Sequence, residues 1–186
     1  DVLDYTLTFT HYGSGSYENL PMIDDLYGSQ YLMVDAELNP DLKERGLEEK
    51  TEDGKTYYLL KAGEYENVTV GVTDEGANYV ASKITVNEGD GTVEAPGGEG
   101  APSESHEYHG LHTRIEWYYN ALPGEEYRIE LSYKALVSSD IEGSGAFDVG
   151  NMVWMNDKPG RRIWAGLWGG GSIIQFDKDI VDSRGD

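Results

Sequence analysis

"LDYTLTFTHY", residues 3–12, decides the fold. Leu3, Tyr5, Leu7 and Phe9 alternate with Asp4, Thr6, Thr8 and Thr10. A period of two puts one row of side chains on an apolar face and the other toward water, as a half-buried strand of an antiparallel sheet requires. "GSGS", residues 13–16, then breaks the pattern.

The same signal recurs along the chain. "YLMVDAELN" (31–39) and "KTYYLL" (55–60) read as strands, separated by the charged excursion "PDLKERGLEEKTEDG" (40–54) with one short helical turn. "AGEYENVTVGVT" (62–73) places Val68, Val70 and Val72 on one face, and "YVASKITVN" (79–87) follows a turn at "DEGAN". "LHTRIEWYYN" (111–120) and "EEYRIELSYKALV" (125–137) make a hairpin across "ALPG", with Ile115, Trp117 and Tyr119, then Tyr127, Ile129, Leu131 and Tyr133, alternating inward. "FDVGNMVWMND" (147–157), "RRIWAGLW" (161–168) and "IIQFDKDIV" (173–181) are the last strands. About eight to ten strands predict an all-β, two-sheet sandwich. Insertions interrupt it near 39–55 and 88–110, the second holding the Gly, Pro and acid-rich "EGDGTVEAPGGEGAPSES" (88–105). Residues 1–172 form the sandwich, and 173–186 a terminal strand.

Composition narrows the function. The 186 residues carry 14 Lys+Arg against 35 Asp+Glu, a formal charge of -21, which repels nucleic acid and anionic membranes. No apolar run approaches the roughly 20 residues of a spanning helix, and residues 1–20 lack a basic start before an apolar stretch, so an excised or mature segment without membrane insertion is expected. With no cysteine, neither a disulfide nor a thiolate zinc site can form.

Three polar residues interrupt inward rows. In "IIQFDKDIV" Lys178 shares a parity with Ile174, Phe176 and Ile180; in "VGNMVWM" Asn151 shares one with Val149, Val153 and Met155; in "PMIDDLY" Asp24 shares one with Met22 and Leu26. Each alone has a plain explanation: a lysine snorkelling to solvent, a strand-end asparagine bonded to backbone, a turn aspartate. Together they suggest chemistry. A lysine forced out of water tends toward the neutral, nucleophilic amine, and a buried carboxylic acid keeps its proton. Held in contact, Lys, Asn and an acid can condense to an amide with loss of ammonia.

These stretches carry a resemblance. "LDYTLTFTHYGSGSYENLPMIDDL", "IEWYYNALPGEEYRIELSYKALV" and "VGNMVWMND" resemble the Ig-like repeats of Gram-positive surface proteins, over most of residues 3–157 apart from the two loops, through short and degenerate motifs. The resemblance implies an Ig-like fold and a bacterial cell-surface stalk, pilus or adhesin. In related adhesin and pilin domains a first-strand lysine joins a last-strand asparagine beside a catalytic acid. Carried over, it implies Asn151 as acceptor and Asp24 as the acid. The lysine departs from the pattern, because none precedes Tyr5. "FDKDIV" instead looks like a first strand placed at the end of the chain, so Lys178 either closes its own domain or completes a neighbouring repeat or identical subunit by strand addition.

Other sites are weaker. Trp164 and Trp168 in "RRIWAGLWGGGS" support a rival reading, a carbohydrate-binding sandwich, with core packing or an intersubunit contact equally open to them. "DSRGD" (182–186) contains an integrin-type tripeptide that polar turns produce by chance. "NEGDG" (87–91) and "DIEGSGAFD" (140–148) offer oxygens to calcium without the spacing of a calcium-binding loop, and read as solvated acidic turns. His106, His109 and His112 in "HEYHGLH", with His11 elsewhere, read as a surface cluster rather than a zinc or nickel site. No cofactor or resident metal is expected. Nor is turnover catalysis, since no nucleophile elbow or phosphate-cradling loop occurs.

Overall fold

In the computed structural model the alternation at the amino end becomes a ten-residue strand, β1 (Val2–His11), with Leu3, Tyr5 and Leu7 buried. There follow β2 (Tyr17–Gly28), β3 (Gln30–Asp35), a 3-10 turn (Pro40–Arg45), β4 (Glu49–Glu52), β5 (Lys55–Leu59), β6 (Gly63–Val72) and β7 (Asn78–Glu88). Then come β8 (Gly91–Ala95), β9 (Glu104–Tyr108), β10 (Leu111–Ala121), β11 (Tyr127–Val137), β12 (Val149–Met155), β13 (Leu167–Gly169), β14 (Ile173–Gln175) and β15 (Ile180–Val181). The structure describes residues 2–11, 17–28, 30–72, 78–95, 104–108, 110–121, 127–137, 149–155, 167–169, 173–175 and 180–181.

The fold is an all-β sandwich. One layer runs β12-β2-β10-β7-β6, the other holds β15, β1, β11, β3, β5 and β4, and the pair Val72 and Ser132 links them between β6 and β11. Side chains from both layers fill the space between. Trp117 of β10 lies with its ring centroid 6.4 Å from Tyr133 of β11, and its indole N–H donates to the Val70 carbonyl of β6 at 3.2 Å. Gln30, at the crossover from β2 to β3, accepts from the Tyr5 hydroxyl at 2.7 Å and donates to the Tyr27 carbonyl at 3.1 Å. A buried amide thus fixes the crossover to the core with good bonds on both its ends.

The strands exceed the eight to ten expected because short hairpins form where the sequence looked irregular. Within 39–55, β4 and β5 pair across Asp53 and Gly54, both at positive φ (49° and 78°), the geometry a two-residue hairpin turn demands. The expected helical turn is the 3-10 turn Pro40–Arg45, started by proline and ended by Gly46 at φ 65°. Within 88–110, β8 pairs with β9, while β7 and β10, which flank that stretch, are themselves neighbours in the first layer.

Two parity expectations fail. Val68 and Val70 face the core but Val72 is 44% exposed, because the β6–β7 register shifts between Thr69 and Val72, where Gly71 sits at φ 89°. A bulge of this kind turns the following side chain to the other face. The single strand expected over 173–181 is also two: β14 is recruited by β13 into a hairpin and β15 pairs with β1, so Ile174 and Ile180 lie in different sheets. Lys178 lies outside the described residues.

Candidate functional site

Asp24 sits mid-strand in β2, opposite Val153 of β12 and Ile115 of β10. Asn151 of β12 is opposite Leu26, two residues along β2, so the two polar side chains are diagonal neighbours on the inward face. Both are fully buried. Between them comes Tyr133 from β11 in the facing layer. Its hydroxyl donates to Asp24 Oδ2 and accepts from Asn151 Nδ2 at 2.9 Å. The phenol ring is stacked on Tyr5, centroids 5.2 Å apart at 20°. Three strands and both layers therefore meet at one phenolic oxygen.

Burial pushes the Asp24 carboxyl up to about 8; the Tyr133 hydrogen bond opposes the rise, the neighbouring Asp25 charge adds to it, and Asn151 opposes it again. Desolvation, followed by the nearness of Asp24, holds the Tyr133 phenol well above its ordinary range. At neutral pH the cluster is thus a protonated acid, a neutral phenol and a carboxamide. Among the described residues Asp24 Oδ1 and Asn151 Oδ1 have no hydrogen-bond partner, although both are sealed from solvent. Such atoms are costly in a core.

The structure thus joins Asp24 and Asn151 through Tyr133. It does not describe Lys178, Trp164, His109, or the segments "DSRGD" and "DIEGSGAFD", all of which lie outside the described residues. Trp168 lies in β13, paired with Ile174 of β14. His11 and His106 lie in β1 and β9. "NEGDG" spans the end of β7 and the start of β8, with Asn87, Glu88 and Asp90 exposed.

His112 belongs to a second cluster that the alternation conceals. Asp25, next to Asp24, points to the other face of β2, and that face is buried too. Its Oδ1 lies 2.7 Å from His112 Nε2 and 2.8 Å from Arg114 Nε, and Arg114 Nη2 donates to its Oδ2 at 3.1 Å. Tyr108 of β9 covers the imidazole, centroids 5.2 Å apart. Burial alone would raise the Asp25 carboxyl, but the hydrogen bonds and charges of His112 and Arg114 prevail and hold it below its ordinary value. Among the described residues no group of three or more His, Asp or Glu side chains is placed to hold a metal ion.

A cleft of about 350 Å³ opens where β6 and β11 diverge, bounded by Leu38, Tyr57, Val72 and Lys134, whose Nζ donates to Asp4 Oδ1 at 2.6 Å. Also among the described residues, no helix is long and apolar enough to cross a membrane.

No family model, curated protein or solved structure matches the chain.

Proposed function

We propose that this chain is an Ig-like structural module of a bacterial cell surface, part of a stalk, pilus or adhesin, in which Lys178 condenses with Asn151 under catalysis by Asp24. The observation that carries the reading is the Asp24, Tyr133 and Asn151 contact: an acid kept protonated by burial, beside a carboxamide, in a core that could have been filled by apolar groups. The position of β15 supports closure within one chain, since Ile180 and Val181 pair with Leu7 and Thr6 of β1, and β1 in turn pairs with β11, the strand that carries Tyr133.

Such a bond replaces the disulfide that a chain without cysteine cannot make. Closing residues 151–178 into a loop removes conformations from the unfolded chain and keeps the terminal strand from being peeled off β1 by force or proteases. The test is intact mass. The unaltered protein should be lighter than its sequence by one ammonia, and Asp24→Asn should restore the full mass. A full-mass unaltered protein rejects the bond. A covalent ladder on a denaturing gel would instead assign the linkage to neighbouring subunits.

A further inference from the structure

We propose that Tyr133 is a catalytic residue of this condensation, its hydroxyl carrying a proton from the Asp24 carboxyl to the departing Nδ2 of Asn151; the inference rests on the Lys178–Asn151 reading. The phenolic oxygen touches both groups, accepting from Nδ2 at 2.9 Å and donating to Asp24 Oδ2. Its ring is buried between aromatic neighbours. Tyr5 stacks on one side, Trp117 lies 6.4 Å away, and Tyr5 is itself tied to Gln30 at 2.7 Å. A phenylalanine would fill the same space, so the hydroxyl is what needs explaining: a buried O–H is retained where its bonds have a use.

The neutral Lys178 amine attacks Asn151 Cγ, a C–N bond forms, and the carbonyl π pair moves onto Oδ1. The planar Nδ2, formerly only a donor, becomes tetrahedral and gains a lone pair. Tyr133 then turns its proton toward Nδ2 and takes one from Asp24. The Cγ–Nδ2 bond breaks with its electron pair leaving on ammonia, the carbonyl reforms, and the Asp24 carboxylate recovers a proton from the lysine nitrogen. One C–N bond has replaced another and no oxidant or reductant is needed. Because burial holds the phenol un-ionised, Tyr133 acts by handing on one proton as it receives another, not as a free phenolate.

The experiment follows the intact mass of freshly purified full-length chain over time, beside far-UV circular dichroism. Tyr133→Phe keeps the ring and should lose ammonia about 100-fold more slowly or not at all, the scale of one proton-transfer catalyst. If the unaltered chain and Tyr133→Phe lose ammonia equally fast, the relay is overturned while the bond stands. If the unaltered chain never loses ammonia, the bond is rejected and the relay falls with it. Should Tyr133→Phe lose its β spectrum, 3-fluorotyrosine placed at position 133 decides. Its more acidic phenol should change the rate of ammonia loss, and an unchanged rate overturns the relay.

Discussion

Asp24 and Asp25 are adjacent in β2 yet hold opposite protonation states on opposite faces of one sheet. Asp24 points between the layers at a phenol and a carboxamide, and burial keeps its proton on. Asp25 points outward to His112 and Arg114 and stays ionised. The pleat alone separates them. The Asp25 charge also acts on its neighbour, as one of the causes that raise Asp24.

Asp24 makes stability fall as pH rises. Its ordinary value is 3.8 and its folded value about 8, so between these the folded protein binds a proton that the unfolded chain has released, and unfolding is favoured progressively. Below the window both states are protonated and the effect vanishes; above it the penalty is complete. Asp24→Asn, neutral at every pH, should flatten urea midpoints between about pH 4 and 8 and raise the midpoint at pH 8 relative to the unaltered chain, both proteins being compared in their uncross-linked form.

Asp25 works in the other direction. Its folded value lies below 3.8, so its contribution is present above about pH 4 and is lost as acid carries the pH down through the folded value. Asp25→Asn leaves Arg114 and His112 without their carboxylate, and with Arg114 partly exposed a loss near the low end for a broken buried pair, about 3 kcal/mol, is expected in urea titrations at pH 7. The same variant should move the Asp24 window to lower pH, because one cause of its elevation is gone.

The alternation of "LDYTLTFTHY" was enough to read β1, and the rows of β10 and β11 were equally legible, down to Ile115, Trp117, Ile129, Leu131 and Tyr133 in the core. Period-two reading assumes one wet face per strand, and β2 violates it. Residues 22–28 are buried throughout, so the alternation that puts Asp24 inward would turn Asp25 to solvent, whereas it is the anchor of an ion cluster. The β4–β5 hairpin carried a usable signal, the Asp53-Gly54 pair, hidden among the charges of 40–54. Tyr133 was read as an ordinary inward aromatic, because nothing in a strand's own sequence tells where its hydroxyl ends. Its partners lie 109 and 18 residues away.

Gly71 should be intolerant of any side chain. Its φ of 89° is strained for an L residue, and a Cβ would meet Leu131 Cδ2 at 3.2 Å and Trp117 Nε1 at 3.7 Å. Gly71→Ala should therefore cost about 1–2 kcal/mol from the backbone, with the Leu131 contact adding to it, read as a lowered urea midpoint. It should also disturb the neighbouring indole, so a shift in tryptophan emission is the accompanying readout.

Asn39 ties the turn region to β6, and its removal should be felt at one identifiable amide. Its Nδ2 donates to the Asp35 and Thr69 carbonyls, each at 2.9 Å, and its Oδ1 accepts from Thr69 N–H at 2.7 Å. The residue is 6% exposed, so water cannot easily replace the side chain. Asn39→Ala orphans three backbone groups and should cost about 3 kcal/mol. Asn39→Asp retains the acceptor for Thr69 N–H but loses both donations, and brings its charge against two carbonyls. Hydrogen exchange separates the two variants: Thr69 N–H should lose its local protection in the alanine protein and keep it in the aspartate protein, measured relative to each variant's global stability. Equal protection of that amide in the unaltered and alanine proteins would mean that the Asn39 bridge does not hold β6.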